Sequence, residues 1–153
     1  MTIQVAIQPD LTTRQLTSRI IDENEIFIII PLLVQLYPNL PTETIKSRLE
    51  EIKNLNWACL GIFDKDSLVG ISGYWLNTRL YCGKYLYVDH FVVNDAFRET
   101  GVGALLMQKI KEIADQNLCS HICLDTFTGN LQAQHYWSKH QFNIVGFHYV
   151  LQN

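Results

Sequence analysis

The periodicity of apolar residues predicts a mixed α/β fold with the element order β-α-α-β-β-β-α-β-α-β. Three observations carry that prediction. A strand at 84–93, a helix from about 101 to 117 and a strand at 121–127 form a β-α-β unit. Its strands should be parallel with a right-handed crossover. Two apolar stretches, 57–63 and 68–76, flank the polar turn Asp64-Lys65-Asp66-Ser67 and read as a hairpin. Helical spacing of apolar residues precedes that hairpin and returns near the end of the chain. At 153 residues, 48% hydrophobic and 18% charged, the sequence suits one globular domain over 1–153.

Ile3, Val5 and Ile7 alternate with Gln4, Ala6 and Gln8, which suits a short strand; residues 1–15 are expected to form an N-terminal arm. Leu16–Ile21 is the first core strand. Asp22-Glu23-Asn24-Glu25 supplies capping and acidic residues for a helix running to about Tyr37. Pro31 lies within it and requires a kink or a later start. Pro38-Asn39-Leu40-Pro41 ends it, and Thr42 is the expected N-cap of a second helix with Ile45, Leu49 and Ile52 on one face. Gly70 and Gly73 in the strand after the hairpin turn indicate a bend or a close backbone approach. Residues 77–83 read as a loop or strand end that turns at Gly83. Asn130 caps a last helix running to about His140, and Phe142–Leu151 closes the chain as one or two strands around Gly146.

Composition narrows the function. A net charge of −3 and the lack of a basic excess argue against nucleic acid as the main partner. The longest apolar run, Ile26–Leu36, is too short to span a bilayer, and Met1-Thr2-Ile3-Gln4 lacks the basic start of a signal peptide. Cys59, Cys82, Cys119 and Cys123 form no C-x-x-C pair, and Cys119 and Cys123 read as small core residues. His135 and His140 share no helix face, so no metal site is expected. These points favour a reducing, cytoplasmic setting without a membrane partner.

The stretch Val88–Leu106 carries the chemistry. The run Phe91–Val93 ends at Asn94-Asp95, and Arg98, Gly101 and Gly103 then lead into a helix. The start of a helix exposes N–H groups without intrahelical partners, and its dipole and Arg98 add positive charge. This is a site for an anion such as a phosphate or pyrophosphate. The dinucleotide fingerprint fails because Leu106 replaces its third glycine, and the P-loop fails because no Gly-Lys-Ser/Thr follows.

Arg98-Glu99-Thr100-Gly101-Val102-Gly103-Ala104 instead resembles the Arg-x-x-Gly-x-Gly-Ala motif of the GNAT superfamily of N-acetyltransferases. A second block, Asn130–Phe142, is similar to that family's Asn-x-x-Ala-x-x-Phe-Tyr-x-x-x-Gly-Phe, matching at Asn130, Ala133 and Phe142. Tyr136, Trp137 and Gln141 stand at its Phe, Tyr and Gly positions. The resemblance implies a mainly antiparallel, twisted sheet of six to seven strands with one parallel β-α-β unit and about four helices. It implies acetyl-CoA as co-substrate, no metal, and direct attack by a primary amine of a small molecule or a protein. A homodimer is compatible with it.

The same resemblance distributes roles. Arg98, Glu99, Thr100, Gly101, Val102, Gly103 and Ala104 would surround the CoA pyrophosphate. Phe91, Val92 and Val93 would pair with the pantetheine arm, with Asn130 and Trp137 beside it. Asp89 aligns with the family's carboxylate and would either take the amine's proton or hold the ammonium electrostatically. Trp137 cannot serve as the acid that many members place at that position, because an indole N–H has no useful acidity. Tyr136, a water or no acid at all would replace it, and Tyr136 also fits a core position. Strict strand alternation puts His90 on the face opposite Asp89. Tyr37 and Asn39, by their position between the first two helices, and the aromatic Tyr74, Trp75, Tyr85 and Tyr87 are candidates for the acceptor pocket, with packing as their alternative. An acyl-CoA-binding sensor without turnover is the rival function.

Overall fold

The computed structural model describes residues 14–153, so the expected strand at Ile3–Ile7 lies outside the described residues. Five strands form one sheet in sequence order: β1 (Leu16–Ile20), β2 (Trp57–Asp64), β3 (Ser67–Arg79), β4 (Gly83–Val93) and β5 (His121–Leu124). β1 to β4 pair antiparallel, and β4 pairs with β5 in parallel. The helix that links these last two, α3 (Val102–Gln116), completes the anticipated β-α-β unit.

Several boundaries differ from the expected ones. Five strands replace six to seven among the described residues, because Phe142–Leu151 forms no ladder with any strand. β3 runs on to Arg79, since the continuing pairing of Asn77, Thr78 and Arg79 with β4 outweighs the loop-like sequence. β5 stops at Leu124, where its pairing with β4 ends. The first helix starts late. Asp22 caps a 3-10 stretch at Glu23–Ile29 through a capping box with Glu25, and α1 (Ile30–Leu36) begins only at Pro31's turn. Proline is tolerated there because an N–H in the first turn has no intrahelical acceptor to lose. In α2 (Thr42–Ile52) the N-cap is Pro41, and Thr42 is already helical, with no side-chain cap bond.

Helices cover both faces of the sheet. α1 and α2 bury Leu32, Leu33, Ile45 and Leu49 against Trp57, Cys59, Ile71 and Val92. α3 buries Val102, Leu106, Ile110 and Ala114 against Ile62, Val69, Leu86 and Val88 on the other face. Burying each large apolar side chain contributes about 1.5–3 kcal/mol. Gly70 brings α3 close, since a Cβ there would stand 2.5 Å from Val102 Cγ1. Cys59 is buried in the core, whereas Cys119 and Cys123 are only half-buried, near the sheet's β5 edge. The last helix, α4 (Leu131–Lys139), is capped by Asn130, whose side chain accepts from the Ala133 N–H at 3.0 Å.

Candidate active site

β4 positions the site because its alternation is reset once. Tyr74 of β3 pairs with Val88, and Ser72 pairs with Phe91. Between those pairs β3 spends only Gly73, while β4 spends both Asp89 and His90. This is a β-bulge, which shifts every later side chain to the other face. Leu86 and Val88 pack on the α3 side, as do Phe91 and Val93, while Val92 packs beneath α1 and α2. The bulge turns Asp89 and His90 toward the same side, correcting the expectation that they oppose each other.

Both residues line a cleft of about 620 Å³ bounded by α1, α2 and their connection, with Leu36, Tyr37, Asn39 and Arg48 among its walls. Asp89 Oδ2 accepts the Trp75 Nε1–H at 3.0 Å, which fixes the carboxylate. His90 Nδ1 lies 3.7 Å from that same oxygen. The imidazole is 7% exposed and stands 5.7 Å from the Trp57 ring. Burial pushes its pKa down, partly opposed by the charge of Asp89, so it is neutral near pH 7. Burial, followed by the Asp89 charge, raises the pKa of the Tyr37 hydroxyl at the cleft wall.

The other end of β4 leads to the glycine loop. β4 and β5 pair only as far as Val88 with Leu124, so Asp89–Val93 run on past β5. Gln35 of α1 clamps this end. Its Nε2 donates to the Val93 carbonyl at 2.8 Å, and its Oε1 accepts the Asp95 N–H at 3.1 Å. Asn94 caps a short 3-10 turn at Asp95–Phe97, and Thr100 Oγ1 donates to the Phe97 carbonyl. Glu99 at φ 59° and Gly101 at φ 91° are both left-handed, which folds the loop tightly before α3. Gly101 gives α3 no side-chain cap, and the first turn carries no carboxylate. The N–H groups of Val102, Gly103 and Ala104 are thus left to bind an anion. Arg98 stands beside them, paired with Asp95 at 2.6 Å.

α4 packs against the free end of β4. Trp137 packs edge-on against Phe91 with ring centres 5.2 Å apart, and Tyr136 lies 5.9 Å from Phe91. The Tyr136 hydroxyl is buried without a partner, 3.5 Å from the position of a Cβ on Gly103. Burial raises its pKa, so it keeps its proton at neutral pH.

The profile of the Acetyltransferase (GNAT) family matches residues 29–142. The chain belongs to the GNAT acetyltransferase family. Comparison by sequence with curated proteins returns no match. Solved structures agree in fold. An aminoglycoside N-acetyltransferase, AAC(6')-Iy, in complex with CoA superposes with a TM-score of 0.79 at 16% identity, over 96% of this chain and 99% of the other. A ribosomal-protein-alanine N-acetyltransferase from Brucella melitensis biovar Abortus 2308 gives 0.76 at 16% identity, over 90% and 99%. A possible acetyltransferase from Clostridium difficile 630 gives 0.79 at 14% identity, over 90% and 97%.

In this GNAT chain the predicted residues fall into three places. Asp89, Tyr37 and Asn39 meet at the cleft, with Trp75 bonded to Asp89. Phe91, Tyr136, Trp137 and Gly103 meet at the wedge between β4 and α4. Tyr85 and Tyr87 precede Asp89 on β4 without lining the cleft: Arg79 covers the Tyr85 ring, and the Tyr87 hydroxyl donates to Asp125 at 2.9 Å. Tyr74 is buried with the α3 side of the core. Gln35 and His90 were not among the predicted site residues. A lone amide in the apolar helix Ile30–Leu36 marks Gln35, and Gly73 marks the room kept for the imidazole. Among the described residues no group of histidine, cysteine and carboxylate side chains could hold a metal, and no helix is long and apolar enough to cross a membrane.

Proposed function

We propose that this protein transfers the acetyl group of acetyl-CoA to a primary amine. The support is one arrangement of β4: its bulge aims Asp89 into a cleft on one face, and its end delivers the uncapped start of α3. The residues present suit acetyl-CoA, since the start of α3 has no side-chain cap and the partnerless Tyr136 hydroxyl lies beside Gly103. Val102, Gly103 and Ala104 would bind its pyrophosphate through N–H groups, with Arg98, Glu99, Thr100 and Gly101 shaping the loop. Phe91, Val92 and Val93 would hold its extended arm along the free length of β4, between Asn130 and Trp137. Acetyl-CoA, when bound, supplies an activated acetyl thioester.

The remaining chemistry belongs to the side chains. Asp89 attracts the ammonium of the acceptor, and Trp75 keeps the receiving oxygen aimed. An ammonium has no lone pair, so a proton must leave before attack, and Asp89 is the carboxylate placed to receive it. Tyr136 holds a proton at its hydroxyl for the departing thiolate. Leu36 and Leu40 give the cleft an apolar wall beside Asp89.

Thermal shifts with acetyl-CoA, CoA, ATP and NAD, followed by thiol release across an amine panel, test this reading. Stabilisation by NAD or ATP but not by CoA would overturn the cofactor assignment. Tight acetyl-CoA binding without thiol release from any amine would mark an acyl-CoA sensor instead. Asp89→Asn is expected to lower kcat/KM by about 100-fold or more. Wild-type rates in that variant would take Asp89 out of the reaction.

A further inference from the structure

The cleft that holds Asp89 also holds Arg48, and the two charges do not neutralise each other. Asp89 Oδ2 accepts from the Trp75 indole and lies 3.7 Å from the His90 imidazole. Arg48 forms no ion pair among the described residues. The lysines on either side of it do: Lys46 pairs with Glu43 at 3.0 Å, and Lys53 with Glu50 at 2.7 Å. Glu51 stands three residues beyond Arg48, the spacing of both those pairs, yet makes no pair with it.

The place of Arg48 on α2 accounts for this. Ile45, Arg48, Leu49 and Ile52 follow the i, i+3, i+4, i+7 spacing of one helix face, and all four line the cleft. A guanidinium thus interrupts an apolar face, and its side chain is exposed and open to a ligand.

The rest of the lining adds no charge at neutral pH. His90 is neutral, and Tyr37 keeps its proton. Asn39 offers an amide, and Leu36 and Leu40 offer apolar surface. The cleft therefore presents one anion, one cation and an apolar wall. Its volume of about 620 Å³ falls in the range of about 300–1,000 Å³ that encloses small molecules. A plain alkylamine would satisfy Asp89 and leave Arg48 without a partner. A polyamine would set a second ammonium against the guanidinium. A carboxylate matches the fork of guanidinium N–H donors.

We propose that the acceptor is a small primary amine that also carries a carboxylate, with Asp89 taking its amino end and Arg48 its acid end. The assignment of the amino end rests on the acetyl-transfer reading. In that transfer the amine nitrogen bonds the acetyl carbon as the thioester C–S bond breaks. Of the two protons the ammonium loses, one ends on the CoA thiol and the other passes through Asp89 to solvent. Arg48 takes no part in bond making. It binds the acid end equally before and during attack, so its contribution falls on KM rather than on kcat.

Thiol release by the full chain with ε-aminocaproate, pentylamine and cadaverine tests this selection. The three share one methylene chain and end in a carboxylate, a methyl and an ammonium. γ-Aminobutyrate, propylamine and trimethylenediamine repeat the comparison on a shorter chain. An aminocarboxylate should exceed its matched monoamine and diamine in kcat/KM by about tenfold or more, through KM. Arg48→Met should remove that advantage, and Arg48→Lys should keep part of it. Calorimetry of the same amines against the CoA-saturated protein reads binding without turnover. A monoamine or diamine used as well as its aminocarboxylate, or an advantage that survives Arg48→Met, overturns the assignment and leaves acetyl transfer standing. Arg48-dependent binding of an aminocarboxylate with no thiol release from any amine upholds the ligand class and overturns acetyl transfer. Failure of every amine both to bind and to react overturns the two together.

Discussion

Gly73→Ala probes the bulge through the one atom it adds. The new methyl would stand 2.5 Å from His90 Nε2, 2.8 Å from Cδ2 and 2.9 Å from Cε1. Ordinary carbon contacts lie near ~3.5–4.0 Å, so the imidazole must retreat by about 1 Å. It has little room, because it is buried and faces the buried Trp57 ring. Overpacking of this kind costs about 1–3 kcal/mol. At roughly 2–4 °C per kcal/mol for a chain of this size, Tm should fall by roughly 2–12 °C. Thermal melts of wild type, Gly73→Ala, His90→Ala and the double variant isolate the contact. Removing the ring opens space for the methyl, so the double variant should be more stable than the sum of the singles by about 1–3 kcal/mol. Additive losses, agreeing within about 0.5 kcal/mol, would refute the claim that Gly73 exists to admit His90.

Three further outcomes follow from the same geometry. Gln35→Ala strips the Val93 carbonyl and the Asp95 N–H of their partner, so chemical denaturation should show a loss of about 1–3 kcal/mol; an unchanged midpoint would remove Gln35 from the junction. Gly101→Ala meets nothing within 4 Å but forces φ 91° on an L-residue, so it should cost about 1–2 kcal/mol in thermal melts and weaken CoA binding by calorimetry. Burial of His90 lowers its folded pKa, so the unfolded chain binds the proton first. Its contribution to stability is therefore complete above about pH 6.5 and is lost as the pH falls below that value toward the folded pKa. His90→Phe should flatten the stability profile over that range, and an identical acid slope in the variant would exclude the imidazole as its source.

The glycine loop and the uncapped start of α3 were legible because their chemistry is local. Two glycines, an arginine and the helix pattern behind them are enough to specify an uncapped helix start, and Asn130 is a cap by the same short-range logic. Residues set by pairing were less legible. Thr42 looks like a cap, yet Pro41 takes that place and Thr42 is already helical. Asn77–Arg79 reads as loop, yet a long partner strand holds it extended. Phe142–Leu151 has strand chemistry, yet it forms no ladder with the sheet. Tyr85 and Tyr87 carry aromatic rings suited to a cation. Arg79 and Asp125 engage them instead, and no window of sequence brings those groups to the two rings.

The bulge explains why alternation misled at the residues that matter most. A regular strand with Asp89 facing the cleft would turn His90 away and Phe91 back toward it. Spending two residues of β4 against Gly73 alone keeps Asp89 and His90 together and sends Phe91 and Val93 to the α3 side. In the proposed function one strand would then address two ligands, an amine on the cleft face and an extended arm beside α4. Regular alternation separates these tasks by face but cannot place the imidazole beneath the carboxylate. The sequence did mark the irregularity, in a glycine opposite a histidine, where a side chain on one strand replaces a missing one on its neighbour. That pairing becomes readable only when two strands are already in register, so it belongs to tertiary structure rather than to any window of sequence.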